Sequence, residues 1–210
     1  MAILLGAVLG YLVGAVPVGL IAGRLTRGID IREYGSHRTG ATNALRTLGT
    51  PTAAAVFVLD VAKGVLAVLV ARLLFGENPL VEWAAAAAGF AAIVGHNWSV
   101  FIRFTGGRGV STSAGALGAM SPWTILVIAP IVFAVIWRWR YVSLGSIVGA
   151  LGAPVVTAVL ALIGAASVPA IAYAAASGLL VTVAHGDNIS RLRDGTERKV
   201  GQKEAVSGGG

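Results

Sequence analysis

The chain alternates long apolar runs with short polar ones, and the apolar runs give the first prediction. They cover 2–23, 52–75, 83–95, 111–121, 122–137, 142–163 and 169–184. A straight helix needs about 20 residues to cross a hydrocarbon core of ~30 Å, and the longest runs meet that length. The run 111–121 is shorter, at roughly 1.5 Å of rise per residue. It spans only if its start lies deep in the protein beneath a polar loop; otherwise 111–137 forms a re-entrant hairpin. Gly6, Gly10, Gly14 and Pro17 predict a packed, kinked first helix. That segment lacks a basic leader and a clean small-residue cleavage site, so it reads as a span and not as a secretion signal. The alanine run Ala84 to Ala88, and Gly145 with Gly149, predict close helix packing.

Composition agrees with this pattern. Of the 210 residues 56% are hydrophobic and 12% charged, and mean hydropathy is +0.82. These values place the chain among all-α integral membrane proteins. One transmembrane domain over 1–204 is expected, followed by a short tail at 205–210. Cysteine is absent, which excludes disulfides, a thiolate nucleophile and Cys-ligated metals.

Charge fixes the expected topology. Of 16 Lys and Arg residues, all but Lys63 and Arg72 lie in 24–46, 103–108, 138–140 and 191–203. A single helix through 111–137 would put Arg138 and Arg140 opposite the other basic loops, whereas two passes put every basic segment on one face. The other face then carries the N-terminus, 76–82 with Glu77 and Glu82, Ser121-Pro122 and 164–168. The positive-inside rule therefore predicts about seven transmembrane helices, N-terminus outside and C-terminus cytoplasmic. Arg72, near the outer end of its run, is the one dissenting charge. Trp98, Trp137, Trp139 and Tyr141 fit interface anchors. The basic residues sit at helix ends with few exposed aromatics, which argues against nucleic acid as a partner.

Three polar strings carry the candidate chemistry: GSHRTGATNALRTLG from Gly35, GHNWSVFIRFTGGRGVST from Gly95, and HGDNISRLRDGTERK from His185. Polar residues are costly in or near lipid, so such strings are functional candidates. Gly106, Gly107 and Gly109 flank Arg108 just before a short helix. That arrangement suits an anion: close backbone approach, a helix N-terminus and a guanidinium fork. A plain turn is the competing reading. The GK[ST] of a nucleotide-binding loop is missing. In the first string Ser36, Thr42, Asn43 and Arg46 are candidates, with Thr42 and Arg46 one helical turn apart. Capping by Ser36 or Thr39, with Arg46 snorkelling, is the alternative. In the third string His185 and Asn188 share a face, with Arg191 beyond. His96-Asn97 reads as an interfacial hydrogen-bond pair, Asp60 and Lys63 as a neutralising pair inside a span, and Glu197 as an ion-pairing tie for the tail. No cluster has the His or carboxylate spacing of a catalytic metal site. None of the three histidines is followed by Asp five residues on, so the HxxxxD pattern of one glycerolipid acyltransferase family is absent.

Gly35 through Asn43 with Arg46, Gly95-His96 with Phe101, Phe104 and Gly106 to Thr112, and His185, Asn188 to Leu192, Gly195 to Glu197 and Lys199 together resemble the three ordered motifs of a known family. It is the integral-membrane acyl-phosphate:glycerol-3-phosphate acyltransferase family of bacterial phospholipid synthesis. YLVGAVPVG in the first helix and Asp60-x-x-Lys63-Gly64 add to the resemblance, which runs end to end. This chain departs in His37-Arg38 for the usual Gly-Asn, Arg108 for Lys, and Ala184 for Gly.

The resemblance implies acyl transfer from acyl phosphate to the 1-hydroxyl of glycerol 3-phosphate, giving lysophosphatidic acid and phosphate. The implied setting is the inner membrane of a bacterium, with the site on its cytoplasmic face. No cofactor or metal is implied, and the soluble acyl-phosphate-forming enzyme is a candidate partner. His185, Asn188 and Ser36 are the candidate catalytic residues. Arg46, Arg108, Gly106, Gly107, Gly109, Ser36, Thr42 and Asn43 are the candidate phosphate ligands. His185 acts either as base or by orienting a substrate phosphate that does. A transporter of small organic phosphates would need polar residues at mid-membrane with access from both faces, and a lipid phosphatase would need a cleaner acid partner for His185 than Asp187.

Overall fold

A computed structural model describes residues 1–202, and among these the chain forms ten α-helices and no strand. They are α1 (Ala2–Ala15), α2 (Val18–Arg27), α3 (Ala41–Thr47), α4 (Thr50–Phe75), α5 (Val81–Asn97), α6 (Val110–Met120), α7 (Pro122–Trp139), α8 (Val142–Leu162), α9 (Val168–Ala184) and α10 (Gly186–Arg193). The predicted tail at 205–210 lies outside the described residues.

Each of the seven apolar runs becomes helical, with the first broken where a kink was expected. Pro17 has no N–H to continue α1 and interrupts the ladder. The carbonyl of Val16 at the break accepts Val18 N–H at 3.0 Å and a hydrogen bond from Lys63 Nζ at 3.2 Å. Four helical segments are long and apolar enough to cross a membrane: Ala2–Arg27, Thr50–Phe75, Pro122–Trp139 and Val142–Leu162. A fifth is added if α9 and α10, bent by 59° at His185, count as one. α5, α6 and α9 have 17, 11 and 17 residues and fall short of that length. The chain breaks at Ser121, and Ile125 folds back toward Gly118, so 111–137 is two helices and not one.

Small residues let the helices approach closely, which is how packing is gained when lipid supplies no hydrophobic contrast. The two stretches read separately as packing signals turn out to be partners. Gly6, Gly10 and Gly14 of α1 face Ala84, Ala88 and Ala92 of α5, and a Cβ at Gly10 or Gly14 would run into the facing backbone. Val68, Ile93, Ala116, Leu117 and Tyr173 form the centre of the bundle. Arg72 is neutralised in place: it grips both carboxylate oxygens of Glu82, at 2.9 and 2.8 Å, and the carbonyl of Ala119.

At the other end of the bundle the basic segments interlock. Arg32 reaches the Ile102 carbonyl and Thr105, Thr39 N–H donates to the Gly106 carbonyl, and Val200 and Arg140 exchange two hydrogen bonds. The three polar strings therefore meet at one end, as the charge pattern requires.

Candidate active site

A cavity of about 560 Å³ opens between the three strings. Its polar end is lined by Ser36, Thr42, Arg108, His185, Asn188 and neighbours, including Arg38, Arg46, Arg191 and Arg198. Its other end is apolar and runs between α6, α7, α8 and α9, past Leu117, Ile128, Val132, Gly149, Ala153 and Val181. One continuous space thus presents guanidinium groups at its head and hydrocarbon along its length.

The glycine loop is built by close approach. Gly107 N–H donates to the His96 carbonyl at 3.0 Å, and a Cβ on Gly107 would strike His96 Nε2. A Cβ on Gly106 would strike the His96 and Asn97 carbonyls. Gly109 sits at φ +77°, which favours glycine, and its carbonyl accepts Ser113 N–H to start α6. Gly107 and Gly109 line the cavity; Gly106 does not, and it acts by letting the loop pack on α5. The Gly107 N–H expected to meet an anion is engaged by His96 instead. Arg108 remains the loop's outstanding cation, half-buried, with Nε meeting no hydrogen-bond partner among the described residues.

The first string is held by Asn43. Its Oδ1 accepts Ser36 N–H at 2.8 Å, and its Nδ2 donates to the carbonyls of Ile31, Tyr34 and Arg38. Both polar atoms of that side chain are committed to backbone groups, so Asn43, which also lines the cavity, folds the loop that presents Ser36. Thr42 and Arg46 both line the cavity, in keeping with their one-turn spacing. Gly40, not Ser36 or Thr39, stands at the N-cap of α3, and no side chain caps it.

The third string forms around the bend between α9 and α10. His185 Nδ1 faces the Val181 carbonyl at 2.8 Å. A carbonyl only accepts, so Nδ1 carries the proton and Nε2 is left with its lone pair. Asn188 Nδ2 donates to Glu197 Oε1 at 2.7 Å, while its Oδ1 has no partner among the described residues. Glu197 also accepts from Ser143 Oγ at 2.7 Å and from Arg191 Nε at 2.8 Å. The tail is tied by an ion pair as expected, but through Ser143 of α8 and Asn188 and Arg191 of α10.

Electrostatics follow from this crowding. Burial pushes Arg108 down to about 10, and the Arg38 and Arg191 charges push the same way, so it stays charged at neutral pH. Burial lowers His185 below 6.5; the Val181 carbonyl opposes that and the Arg108 charge reinforces it, leaving a neutral imidazole at pH 7. Burial alone would raise Glu197, but hydrogen bonds from Ser143, Arg191 and Asn188 hold it below its ordinary 4.5. Neighbouring cations that depress one another mark a site suited to an anion.

Of the residues singled out from the sequence, Ser36, Thr42, Asn43, Arg46, Gly107, Arg108, Gly109, His185 and Asn188 line this cavity, and Gly106 does not. Sequence reasoning passed over Arg38, left open by the unusual His37-Arg38 pair, and Ser143, which with Ser146 opens an apolar helix with no pattern to mark it. It also read Asp60 and His96 apart, though both line the same cavity.

Comparisons with known proteins agree with one another. A family profile described as glycerol-3-phosphate acyltransferase matches residues 4–195. A glycerol-3-phosphate acyltransferase of Synechococcus elongatus is 44% identical over 201 residues, covering 94% of each chain. One from Thermoanaerobacter is 42% identical, covering 96% of this chain and 98% of the relative. Crystal structures of PlsY (YgiH), an integral membrane glycerol 3-phosphate acyltransferase, are similar throughout. The glycerol 3-phosphate form has a TM-score of 0.84 at 34% identity over 96% of each chain, and the lysophosphatidic acid form 0.82 at 33% over 95%.

Proposed function

The chain belongs to the glycerol-3-phosphate acyltransferase family, and on that premise we propose that it moves a fatty acyl group from acyl phosphate to the 1-hydroxyl of glycerol 3-phosphate. The products are lysophosphatidic acid and phosphate. The observation that carries this reading is the single cavity whose head is cationic and whose length is apolar. A small phosphate fits the first part and an acyl chain the second.

Arg108 and Arg46, with Ser36 and Thr42, hold the glycerol 3-phosphate phosphate; an arginine fork suits phosphate oxygens. Asn188, turned by Glu197, offers Oδ1 to a glycerol hydroxyl. The hydroxyl oxygen attacks the acyl carbonyl carbon, the bond from that carbon to the phosphate oxygen breaks, and phosphate leaves. His185 Nε2 takes the hydroxyl proton, or orients a substrate phosphate that takes it. The donor is a mixed anhydride and already activated, so positioning and charge stabilisation supply the catalysis. The seven helical runs cross the membrane with the N-terminus outside and the site on the cytoplasmic face of a bacterial membrane, where both glycerol 3-phosphate and the soluble acyl-phosphate-forming enzyme reach it.

The test is the purified protein in lipid with glycerol 3-phosphate and three donors: acyl phosphate, acyl-CoA and acyl carrier protein. Turnover with acyl phosphate alone is expected, and robust turnover with either thioester alone would sink the donor assignment.

A further inference from the structure

A buried charge cluster beside the cavity has no part in the chemistry so far. Asp60 of α4 is 1% exposed, and Lys63 and His96 are 7% exposed each. Asp60 Oδ1 lies 2.9 Å from Lys63 Nζ and 3.5 Å from His96 Nδ1, and Oδ2 meets no hydrogen-bond donor among the described residues. Asp60 and His96 line the cavity. Such a cluster inside a membrane bundle is costly, and apolar residues of like volume would often serve stability as well. Neutralising Lys63 explains the pair; it does not explain why the third member is a histidine on another helix.

The position of His96 supplies the reason. Its backbone carbonyl takes Gly107 N–H, and its ring fills the space a side chain on Gly107 would need. On the far side of the loop, Thr39 N–H reaches the Gly106 carbonyl at 3.4 Å. The loop is therefore clamped between the first string and the His96 ring, and the next residue is Arg108. We infer that His96, oriented by the Asp60–Lys63 pair, is a positioning residue that sets where Arg108 meets the substrate phosphate. Asp60 fixes the ring, the ring seats Gly107, and Gly107 aims the guanidinium; Lys63 holds Asp60 and ties the assembly to the α1 kink through the Val16 carbonyl. The inference rests on Arg108 being a phosphate ligand.

A double-mutant cycle on the full chain in detergent tests it, with direct calorimetric binding of glycerol 3-phosphate and of inorganic phosphate as readouts. His96→Ala should weaken binding about tenfold with Arg108 present and less than about twofold in an Arg108→Ala background, because coupled residues are non-additive. His96→Gln, which keeps a donor toward Asp60, should recover most of the loss. In turnover the same change should appear in the glycerol 3-phosphate KM and spare kcat. If His96→Ala gives no cooperative melt, Asp60→Asn carries the cycle with the same expected pattern. Equal losses in both Arg108 backgrounds, or no loss at all, overturn the inference. The readout is binding, so failure of acyl transfer would refute the proposed activity without touching this result.

Discussion

Asn188 Nδ2 lies 2.7 Å from Glu197 Oε1, and that bond decides which end of the amide faces the cavity. The carboxylate accepts only, so it binds the NH2 and leaves Oδ1 for a hydroxyl donor. Glu197→Gln keeps the shape but offers an NH2 that competes for this arrangement and removes the partner charge of Arg191. Loss of a charge-assisted contact of roughly 1.5–3 kcal/mol predicts a fall in kcat of about 10- to 150-fold. Steady-state kinetics beside a thermal melt check it; a variant that melts early at unchanged kcat would make Glu197 a tie for the tail alone.

Arg108→Ala should raise the glycerol 3-phosphate KM by about 10- to 150-fold, the equivalent of one charge-assisted contact. Arg108→Lys should retain much of the activity, since a point charge also holds phosphate. His185→Ala should instead lower kcat far more than it raises KM. An unchanged KM for Arg108→Ala in folded, lipid-reconstituted protein would reduce the glycine loop to a turn.

Acid should act twice. Burial keeps folded His185 below 6.5, whereas the unfolded residue protonates near that value. The stability it contributes is complete above about 6.5 and is lost as pH falls through its folded value. Turnover should fall over the same range as Nε2 loses its lone pair. Glu197, held below 4.5, contributes stability that is complete above 4.5 and lost as pH falls through its own lower value. Melting curves taken from pH 8 down to about pH 2 should show both declines, and His185→Gln should remove the upper one.

Single cysteines test the topology, and the chain has none of its own. Labels replacing Arg38, Phe101 and Arg193 should react with an impermeant reagent from the cytoplasmic side. Labels replacing Asn78 and Ile163 should react from outside. Reaction of Phe101 and Arg193 from opposite faces would contradict the shared cavity.

The helices were legible because lipid demands apolar runs, and their ends fall where Pro, Gly or charge ends the run. α4, α5, α6, α7, α8 and α9 all match the expected limits within two residues. Their number as spans was less legible: α5, α6 and α9, with 17, 11 and 17 residues, fall short of the length that marks a crossing helix, as their short apolar runs foreshadow. In the site, residues one helical turn apart could be read, as with Thr42 and Arg46. Contacts across distant segments could not. Asp60 meets His96 from another helix, Ser143 reaches Glu197 over 54 positions, and Arg72 finds its carboxylate ten residues on. Nor could the four backbone partners of Asn43 be read, since an amide suited to phosphate is equally suited to backbone groups.

The bend at His185 places one residue at the end of one helix and the start of the next. Helix α9 ends there, and the turn begins α10, which brings Asn188 and Arg191 to the cavity. Each residue added to a helix rotates the chain beyond it by roughly 100°. Adding a single residue between Gly178 and Ala184 would swing Asn188 off Glu197 while leaving the span as apolar as before. The rise of α9 and the alignment of the amide are thereby locked to one count of residues, so a single insertion here would cost the site its geometry without changing the apolar character of the segment.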